Sequence, residues 1–376
     1  AEGLRQPLML GVHRSDYMLH ETGSPRFLQV ELNTIASSMA AHSANVRKLH
    51  AYVLGRYGAQ KDDVGRKLQE HFGVAESEIL RRLPPNPALT AIPSAFAKAH
   101  EAYGAKDAVV LFVVQDEERN FADQRFLEYA LWENHGVRVL RRSLGTLAQE
   151  ASMDSDGRLK LSSGEEVSVV YYRSGYSPDD YPSEKEWSAR KVLEQSLAIK
   201  CPSVDYQLVG AKKVQQALAR PRAVERFLGT SATRLRGCFA GLWGLGHGED
   251  DADIIRQASE RPEEYVLKPQ REGGGHNFYG QDVAKKLKEL SPEERSAYIL
   301  MQRILPGLQP SVMTREGKVQ VMDCLSEFGF YSVYLGDGRT ARFSNHAGHL
   351  VRTKGEGVDE GGVAAGYAVI SGPFLT

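Results

Sequence analysis

Residues Ala108 to Val114 form an unbroken run of seven apolar residues in a chain that is 25% charged. A short apolar run of this kind is typical of a parallel strand buried on both faces. A helical pattern follows at Phe121 to Asn134, and strand patterns follow at Val137 to Leu140 and at Val167 to Tyr172. Strand, helix and strand in this order predict a doubly wound α/β sheet.

Polar residues follow the first and third of these predicted strands. Glu118, Asn120 and Gln124 come after the first strand, and Arg173 and Tyr176 come after the third. Ligands of doubly wound sheets bind beyond the carboxyl ends of the strands, so these residues are candidates for a binding site. The alternative is that they are ordinary polar residues of solvent-exposed loops.

A glycine-rich stretch between Tyr265 and Gly280 is a second candidate site. The short strand Tyr265 to Leu267 leads into Lys268, and Glu272 precedes the three consecutive glycines Gly273 to Gly275. Glycines leave backbone N–H groups accessible to a ligand and allow the loop to move. A lysine, a carboxylate and such a loop suit a metal-bound polyphosphate, although a surface hairpin with a glycine turn has the same pattern.

Leu28 to Thr34 alternates between apolar and polar residues, which predicts a strand. Glu31 and Asn33 would then lie side by side on its polar face. A carboxylate and an amide oxygen two residues apart can share Mg²⁺. A half-buried strand with a solvent-facing side is the alternative.

Composition excludes several classes of protein. The net charge of −1 gives no general attraction to nucleic acid or membranes, and no apolar run reaches the length of a bilayer span. The three cysteines, Cys201, Cys238 and Cys324, are far apart in the chain, which argues against a disulfide framework and is typical of the cytoplasm. A chain of 376 residues is expected to form more than one domain.

Several motifs in one order give the chain a specific resemblance. They are R-S-D-Y from Arg14, V-E-L-N-T from Val30, D-E-E-R-N from Asp116, Y-R-S-G-Y from Tyr172 and R-T-K…G-G-V-A-A-G from Arg352. Together with the glycine-rich stretch, they resemble eukaryotic glutathione synthetase, a ligase family of the ATP-grasp superfamily. The resemblance covers nearly the whole chain.

The resemblance implies an α/β (α+β) fold, with an ATP-grasp nucleotide-binding domain, an inserted doubly wound parallel-sheet substrate domain and a glycine-rich C-terminal lid. The expected divisions are residues 1–100 for the N-terminal part of the ATP-grasp and substrate region, 101–205 for the substrate domain and 206–376 for the ATP-grasp domain. Glycine-rich lids are expected at 268–280 and 352–366. The family carries a further N-terminal segment ahead of the position of Arg14, so we expect either a truncated sequence or a shorter version of the protein. The family also implies a homodimer.

The implied activity is ATP- and Mg²⁺-dependent ligation of γ-glutamylcysteine to glycine through an acyl phosphate. Two alternatives stay open at this point. One is a related ligase with another amine acceptor, such as β-alanine, and the other is a nucleotide-binding relative without catalysis.

The resemblance also implies roles for individual residues. The residues expected to bind γ-glutamylcysteine or to close over it are Arg14, Ile35, Ala36, Ser37, Ser38, Glu118, Asn120, Gln124, Arg173, Tyr176, Arg352, Val363 and Ala364. Those expected to bind ATP are Glu31, Lys212, Lys268, Glu272, Gly273, Gly274, Gly275, Asn277, Tyr279, Met301, Gln302, Arg303, Ile304, Glu327, Lys354 and Glu360. Glu31, Asn33 and Glu272 are the expected Mg²⁺ ligands, and Arg352 is expected to be catalytic.

The resemblance also implies further expectations about the nucleotide side and about two substituted positions. Backbone groups of residues 301–304 are expected to pair with the purine edge, which makes the side chain of Gln302 unimportant. Glu327 is expected to lie between two paired strands, at 319–322 and 330–335. Ala36 occupies a position where the family usually has serine, and Glu360 a position where it often has aspartate.

Overall fold

The structure is a computed structural model of the chain. It describes residues 4–58, 63–73, 76–246, 251–271, 275–315, 317–358, 362–363, 366 and 368–375. Within these ranges the strands are β1 (Met9–His20), β2 (Arg26–Asn33), β3 (Val109–Val113), β4 (Val139–Arg142), β5 (Ala151–Met153), β6 (Leu159–Leu161), β7 (Glu166–Tyr172), β8 (Ile199–Cys201), β9 (Leu242–Gly244), β10 (Tyr265–Pro269), β11 (Phe278–Tyr279), β12 (Tyr298–Gln302), β13 (Gln309–Arg315), β14 (Lys318–Gly336), β15 (Ala341–Gly355) and β16 (Val369–Ser371).

The α-helices of the same ranges surround two sheets. They are α1 (Ala40–Gly58), α2 (Asp63–Phe72), α3 (Glu76–Ile79), α4 (Ala88–Tyr103), α5 (Phe121–His135), α6 (Leu144–Glu150), α7 (Glu184–Gln195), α8 (Val204–Val209), α9 (Lys212–Ala219), α10 (Glu225–Leu228), α11 (Ala232–Arg236), α12 (Ala252–Glu260), α13 (Gln281–Glu289) and α14 (Pro292–Arg295). None of these helices has the length and apolar character that crossing a bilayer requires, over the part of the chain described here.

The larger sheet has twelve strands, with the order β16-β15-β14-β1-β8-β7-β3-β4 along its main path. The strands from β8 to β4 are parallel, whereas each neighbouring pair among β1, β14, β15 and β16 is antiparallel. One parallel pair, Met9 opposite Lys200, joins the two halves. The predicted parallel sheet is therefore confirmed, and it is continuous with the antiparallel strands.

The buried apolar run forms the strand that the sequence predicts. All five residues of β3 are completely buried, because helices α4 and α5 cover one face and α6 and α7 belong to the layer on the other. Helix α5 begins at Phe121, as predicted, and ends where Gly136 adopts a left-handed conformation with φ of 65°. Such a glycine ends a helix without steric cost.

The smaller sheet has the order β11-β10-β12-β9. Its own apolar core contains Leu245, Leu267 and Leu300, against which helices α12 and α13 pack. A second small cluster, formed by Leu28, Ala240, Met301 and Ile304, lies between this sheet and the large sheet. The two sheets are therefore packed against each other close to the end of β12.

One expectation about the strands is wrong. Residues 319–322 and 330–335 are not two strands that pair with each other, because both belong to the single 19-residue strand β14. Glu327 lies within this strand instead of between two strands. The strand stays continuous because β13 and then β1 pair with one of its edges, while β15 pairs with the other.

Candidate active site

One face of four neighbouring strands carries most of the polar residues of the main cavity. Arg14 and Asp16 of β1 stand opposite Asn33 and Glu31 of β2, respectively. Alternate residues of paired strands share a face of the sheet, so these four side chains point to the same side. Arg14, Glu31 and Asn33 form the first half of the floor of a cavity, and Asp16 is buried among them.

Strands β14 and β15 continue this floor. Glu327 of β14 stands opposite Met18 of β1 on one side and Arg352 of β15 on the other. Two residues from Arg352, Lys354 stands opposite Leu325. The floor therefore brings acidic and basic side chains from four strands together, and two of these residues, Asp16 and Arg352, are 336 residues apart in the chain.

The smaller sheet and α9 close the cavity, whose volume is about 760 Å³. Lys268 on β10 is buried, and its Nζ donates to the backbone oxygen of Val30 at 3.3 Å. Lys212, the first residue of α9, enters from the side. The predicted site residues that line this cavity are Arg14, Glu31, Asn33, Ser38, Lys212, Lys268, Asn277, Tyr279, Met301, Gln302, Arg303, Ile304, Glu327, Arg352, Lys354 and Val363.

The Glu31 carboxylate is paired with a lysine. Its Oε2 accepts from Nζ of Lys212 at 3.0 Å. The positive charge of Lys212, together with Lys268 and Arg352, holds the pKa of Glu31 far below its ordinary value. Glu31 is therefore an anion in the folded protein at any physiological pH, as a metal ligand must be.

The Asn33 amide has a fixed direction. Its Nδ2 lies 3.0 Å from Oδ2 of Asp16, 3.3 Å from Oε1 of Glu31 and 3.4 Å from the backbone oxygen of Arg14. All three neighbours are acceptors, so the NH₂ group must face them and Oδ1 must face away.

Two of the three predicted ligand residues, Glu31 and Asn33, are thus neighbours, joined through Oε1 of Glu31 and Nδ2 of Asn33. A carboxylate oxygen and an amide oxygen are the donors that Mg²⁺ prefers, so these residues fit the ion. The described residues contain no group of three or more His, Cys, Asp or Glu side chains arranged to hold a metal. The third predicted ligand, Glu272, lies outside the described residues.

Glu327 is in a different electrostatic environment. Burial raises the pKa of its carboxyl group, although the neighbouring Arg352 acts in the opposite direction. The guanidinium Nη2 of Arg352 donates to Oε1 of Glu327 and, at 3.0 Å, to Oδ2 of Asp16. Arg352 is thus held between two carboxylates at the centre of the floor.

The loop after β2 holds four predicted substrate residues in different ways. The backbone oxygen of Ser38 accepts from Nη1 of Arg14 at 3.2 Å and from the Tyr331 hydroxyl at 2.5 Å. The Ser37 hydroxyl donates to the backbone oxygens of Val12 and Asn33. Ser37 is therefore used within the fold.

Ile35 and Ala36 are the other two residues of this loop. Ile35 is buried in the apolar core beneath the parallel strands, and Ala36 packs against the same core. Ala36 also has a φ of 50°, a left-handed conformation that a residue with a side chain rarely adopts. Ile35 therefore anchors the loop through its side chain, and Ala36 shapes it through its backbone.

The predicted residues of the parallel half do not line the main cavity, but a buried carboxylate connects them to it. Nη1 of Arg173 donates to Oδ2 of Asp123 at 3.2 Å. The same carboxylate accepts from the backbone N–H groups of Met39 and Ala41, at 3.0 and 2.9 Å. Met39 lines the main cavity, and it also lines a second cavity of about 460 Å³ together with Asn120.

The other three residues of this group lie close to Arg173 or Asn120 along the chain. Glu118 accepts from the backbone N–H of Asn120 at 2.9 Å. Gln124 is completely buried, and its Oε1 accepts from Nη2 of Arg141 at 2.6 Å. The Tyr176 hydroxyl accepts from Nε2 of Gln115 at 3.2 Å. These side chains surround the carboxyl ends of β3 and β7, as predicted.

The end of β12 differs in part from expectation. The backbone N–H of Gln302 donates to the backbone oxygen of Gly241 at 2.8 Å, and that of Arg303 donates to the backbone oxygen of Glu264 at 2.7 Å. Both groups are used within the protein, so a purine edge would have to pair with other backbone groups of residues 301–304. The Gln302 side chain also has a role, because its Oε1 accepts from the backbone N–H of Gly241 at 3.1 Å.

Comparisons with known proteins agree with this architecture. The model of the family described as "Eukaryotic glutathione synthase, ATP binding domain" matches residues 1–375. The chain belongs to the eukaryotic glutathione synthetase family. The resemblance expected from the motifs is thereby confirmed.

Individual relatives of the family extend this finding. The chain is 44% identical to the chloroplastic glutathione synthetase of Solanum lycopersicum over 98% of its length, and 40% identical to the glutathione synthetase of Homo sapiens over 99%. It spans 65% of the tomato protein and 76% of the human one. The chain therefore corresponds to about two thirds of its plant relatives.

A solved structure shows the same fold. A glutathione synthetase-like effector from Globodera pallida superimposes with a TM-score of 0.75 at 22% identity, covering the whole of this chain and 77% of the effector. The expected fold class is confirmed. The divisions at residues 100 and 205 stay predictions.

Some residues predicted from the glutathione synthetase resemblance lie outside the described part of the chain. These are Glu272, Gly273, Gly274, Glu360 and Ala364. Gly275 is described and has a left-handed φ of 76°, which glycine adopts without strain.

Two buried aspartates were missed by the sequence reasoning. Asp16 stands two residues from Arg14 within the family motif R-S-D-Y, so strand alternation alone could have placed it on the floor of the cavity. Asp123 had no such signal, because its partners Met39, Ala41 and Arg173 are distant in sequence.

Proposed function

We propose that the protein is an ATP- and Mg²⁺-dependent ligase that joins γ-glutamylcysteine to glycine. One observation carries this proposal. Lys212, Lys268, Lys354 and Arg352 line one cavity together with the oxygen donor Glu31. Four cations beside a hard oxygen ligand are what a metal-bound triphosphate requires, and the family model carries the description of an ATP-binding domain.

The proposed reaction has two steps. The cysteinyl carboxylate of the dipeptide attacks the γ-phosphorus of ATP, a phosphorus–oxygen bond breaks, and ADP leaves with an acyl phosphate formed. The amine of glycine then attacks the acyl carbon, phosphate leaves with the electrons of the carbon–oxygen bond, and the amine loses a proton to solvent. Positioning and charge neutralisation supply most of the rate in reactions of this kind.

Each cation is assigned to a group that becomes more negative. Lys212, Lys268 and Lys354 neutralise the phosphates, and Arg352 stabilises the reacting carboxyl group and the tetrahedral intermediate. Glu31, Asn33 and Glu272 would hold Mg²⁺, which supplies further charge neutralisation on the phosphate oxygens when bound.

The dipeptide is assigned to the side of the cavity that faces the parallel strands. Arg14 and the loop at residues 35–38 lie at the boundary between the cavity floor and this half of the sheet. A substrate with an ammonium and a carboxylate at one end needs an acidic and a basic partner. Glu118 and Arg173 are assigned these roles, although both lie beyond the residues that line the main cavity and Arg173 is paired with Asp123 in this structure. Asn120, Gln124 and Tyr176 would complete this end, while Val363 and Ala364 would close over it.

The test is release of phosphate from ATP in the presence of Mg²⁺ and γ-glutamylcysteine, with glycine, β-alanine or no amine added. Release that requires the dipeptide and is strongly stimulated by glycine is the expected result. Stronger stimulation by β-alanine would show that the acceptor is wrong. ATP binding without release under any of these conditions would overturn the proposal for this chain.

A pair of variants on β15 tests the role of Arg352. Arg352→Ala should reduce phosphate release far more than ATP affinity, because its charge acts on the reacting carboxyl group. Arg342→Ala removes an exposed arginine of the same strand and serves as the matched control. If Arg352→Ala weakens only ATP binding, the assigned role is wrong. The homodimer stays a prediction from the resemblance, and the cytoplasmic location stays a prediction from the cysteine pattern.

A further inference from the structure

Asp16 has the densest set of charged and amide contacts on the cavity floor. Its side chain has no exposed surface. Oδ1 accepts from Nε of Arg14 at 2.8 Å, and Oδ2 accepts from Nη2 of Arg14, Nδ2 of Asn33 and Nη2 of Arg352, each at 3.0 Å. One carboxylate thus contacts three residues to which different roles are assigned.

The contact with Arg14 is bidentate. Two parallel N–H···O bonds fix the plane of the guanidinium as well as its position. Nη1 then faces the backbone oxygen of Ser38 at 3.2 Å. The orientation of Arg14 toward the loop at residues 35–38 therefore depends on Asp16.

The contact with Asn33 decides which atom of the amide is offered to a ligand. With Nδ2 held by Asp16 and Glu31, Oδ1 is the atom left to face a cation. Without the Asp16 carboxylate, the nearest acceptor of Nδ2 is lost, and the amide can rotate to present its NH₂ group, which repels a cation.

The local sequence is arranged around this carboxylate. Gly329 stands opposite Asp16 on β14, and a Cβ at this glycine would lie 2.7 Å from Oδ1 of Asp16 and 2.9 Å from Cδ of Arg14. Asp16 also stands opposite Glu31 on β2, and like charges at opposed positions are destabilising. Stability alone would therefore not favour an aspartate at position 16, opposite the Glu31 carboxylate.

We propose that Asp16 is a positioning residue of the ligase, which sets the guanidinium of Arg14, the amide of Asn33 and the guanidinium of Arg352 for substrate and metal. The proposal rests on the proposed function. Asp16 itself touches neither substrate nor phosphate in this view. Its loss should therefore affect dipeptide and metal binding more than nucleotide binding.

The experiment compares Asp16→Asn with Glu194→Gln. Both changes neutralise a carboxylate that pairs with an arginine in the protein interior, and the Glu194 pair with Arg190, at 2.9 Å, lies outside the main cavity. Binding is measured without turnover, by titration calorimetry with γ-glutamylcysteine and with metal-free ADP, and by the electron paramagnetic resonance of Mn²⁺ added with ADP.

Asp16→Asn should weaken both dipeptide and Mn²⁺ binding by about tenfold or more, because hydrogen bonds to charged groups are lost. Metal-free ADP should bind within about threefold of the unchanged protein, since Lys212 is held by Glu31 and Lys268 by the backbone oxygen of Val30. Glu194→Gln should lower the urea midpoint and leave all three affinities unchanged. In the phosphate-release assay, Asp16→Asn should raise the KM for the dipeptide more than that for ATP.

Several results would overturn the positioning role. If Asp16→Asn lowers only the urea midpoint, as the control does, Asp16 is a structural counter-ion. An equal loss of dipeptide, metal and ADP binding would indicate general damage to the cavity. If the unchanged protein releases no phosphate, the proposed function fails, while the binding measurements still decide the role of Asp16.

Discussion

Replacement of Asp123 by alanine is expected to destabilise the protein strongly. Asp123 lies on α5 with no exposed surface. Its two oxygens accept from the backbone N–H groups of Met39 and Ala41 and from the guanidinium of Arg173. Arg173 is itself only 4% exposed, so water cannot easily replace the lost carboxylate.

The magnitude follows from the groups left without a partner. A buried donor that loses its acceptor costs about 1–3 kcal/mol. A buried charge that loses its counter-ion costs about 3–5 kcal/mol. These contributions overlap because all of them share one carboxylate, so we expect Asp123→Ala to lower the free energy of unfolding by about 4 kcal/mol. Asp123→Asn, which keeps one acceptor oxygen, should cost about half as much.

Urea unfolding, followed by circular dichroism, measures these differences. Asp253→Ala is the matched control, because Asp253 is an exposed carboxylate near the start of α12 that pairs with Arg256 on the surface. Such surface pairs contribute little, so the control should change the free energy of unfolding by less than about 1 kcal/mol. A loss below about 1 kcal/mol for Asp123→Ala would refute the reasoning, since the buried donors would then have found other partners.

Three other changes test separate parts of the structure. Burial lowers the pKa of Lys200 to about 8, so above this pH the unfolded chain holds a proton that the folded chain has released. The free energy of unfolding should therefore rise by about 2 kcal/mol between pH 7 and 10 in urea titrations of the unchanged protein, relative to the Lys200→Met variant. Glu31→Gln should raise the Mg²⁺ concentration for half-maximal phosphate release by about tenfold or more, and an unchanged Mg²⁺ dependence would remove Glu31 from the metal site. Ala36 has a left-handed backbone conformation, so Ala36→Gly should have a urea midpoint no lower than that of the unchanged protein, whereas Ala36→Val should have a lower one. Equal destabilisation by both variants would show that the backbone is not strained.

The sequence predicts the elements of this fold where local pattern and burial agree. The run that becomes β3 and the helix that begins at Phe121 are correct because their apolar periodicity reflects packing on both sides. Strand β14 was divided incorrectly, since Ser326 to Gly329 looks like a break in a strand. Pairing with β1 and β15 keeps this segment extended, which no local pattern reveals.

In the candidate site, too, local pattern predicts some residues, while others depend on contacts between distant parts of the chain. Glu31 and Asn33 were identified because strand alternation places them on one face, and Arg14 was identified because it belongs to a motif of the resemblance. The alternation of apolar and polar residues predicts only which side chains share a face of a strand. The role of Asp123 depends instead on contacts between a helix, a loop and a distant strand. The pairing of Glu31 with Lys212 could likewise not be predicted, because 181 residues separate them.

The central position of β1 has a consequence for how the chain folds during synthesis. Its antiparallel partner β14 lies about 300 residues further along the chain, and its parallel neighbour β8 lies nearly 200 residues away. At a synthesis rate of about 5–20 residues per second, β1 leaves the ribosome tens of seconds before β14 exists. During this interval β1 can pair with β2, and later with β8 at Met9, while the edge that β14 will occupy is open to incorrect pairing. The strand that organises the finished cavity is therefore the segment that we expect to depend most on chaperones while the protein is being made.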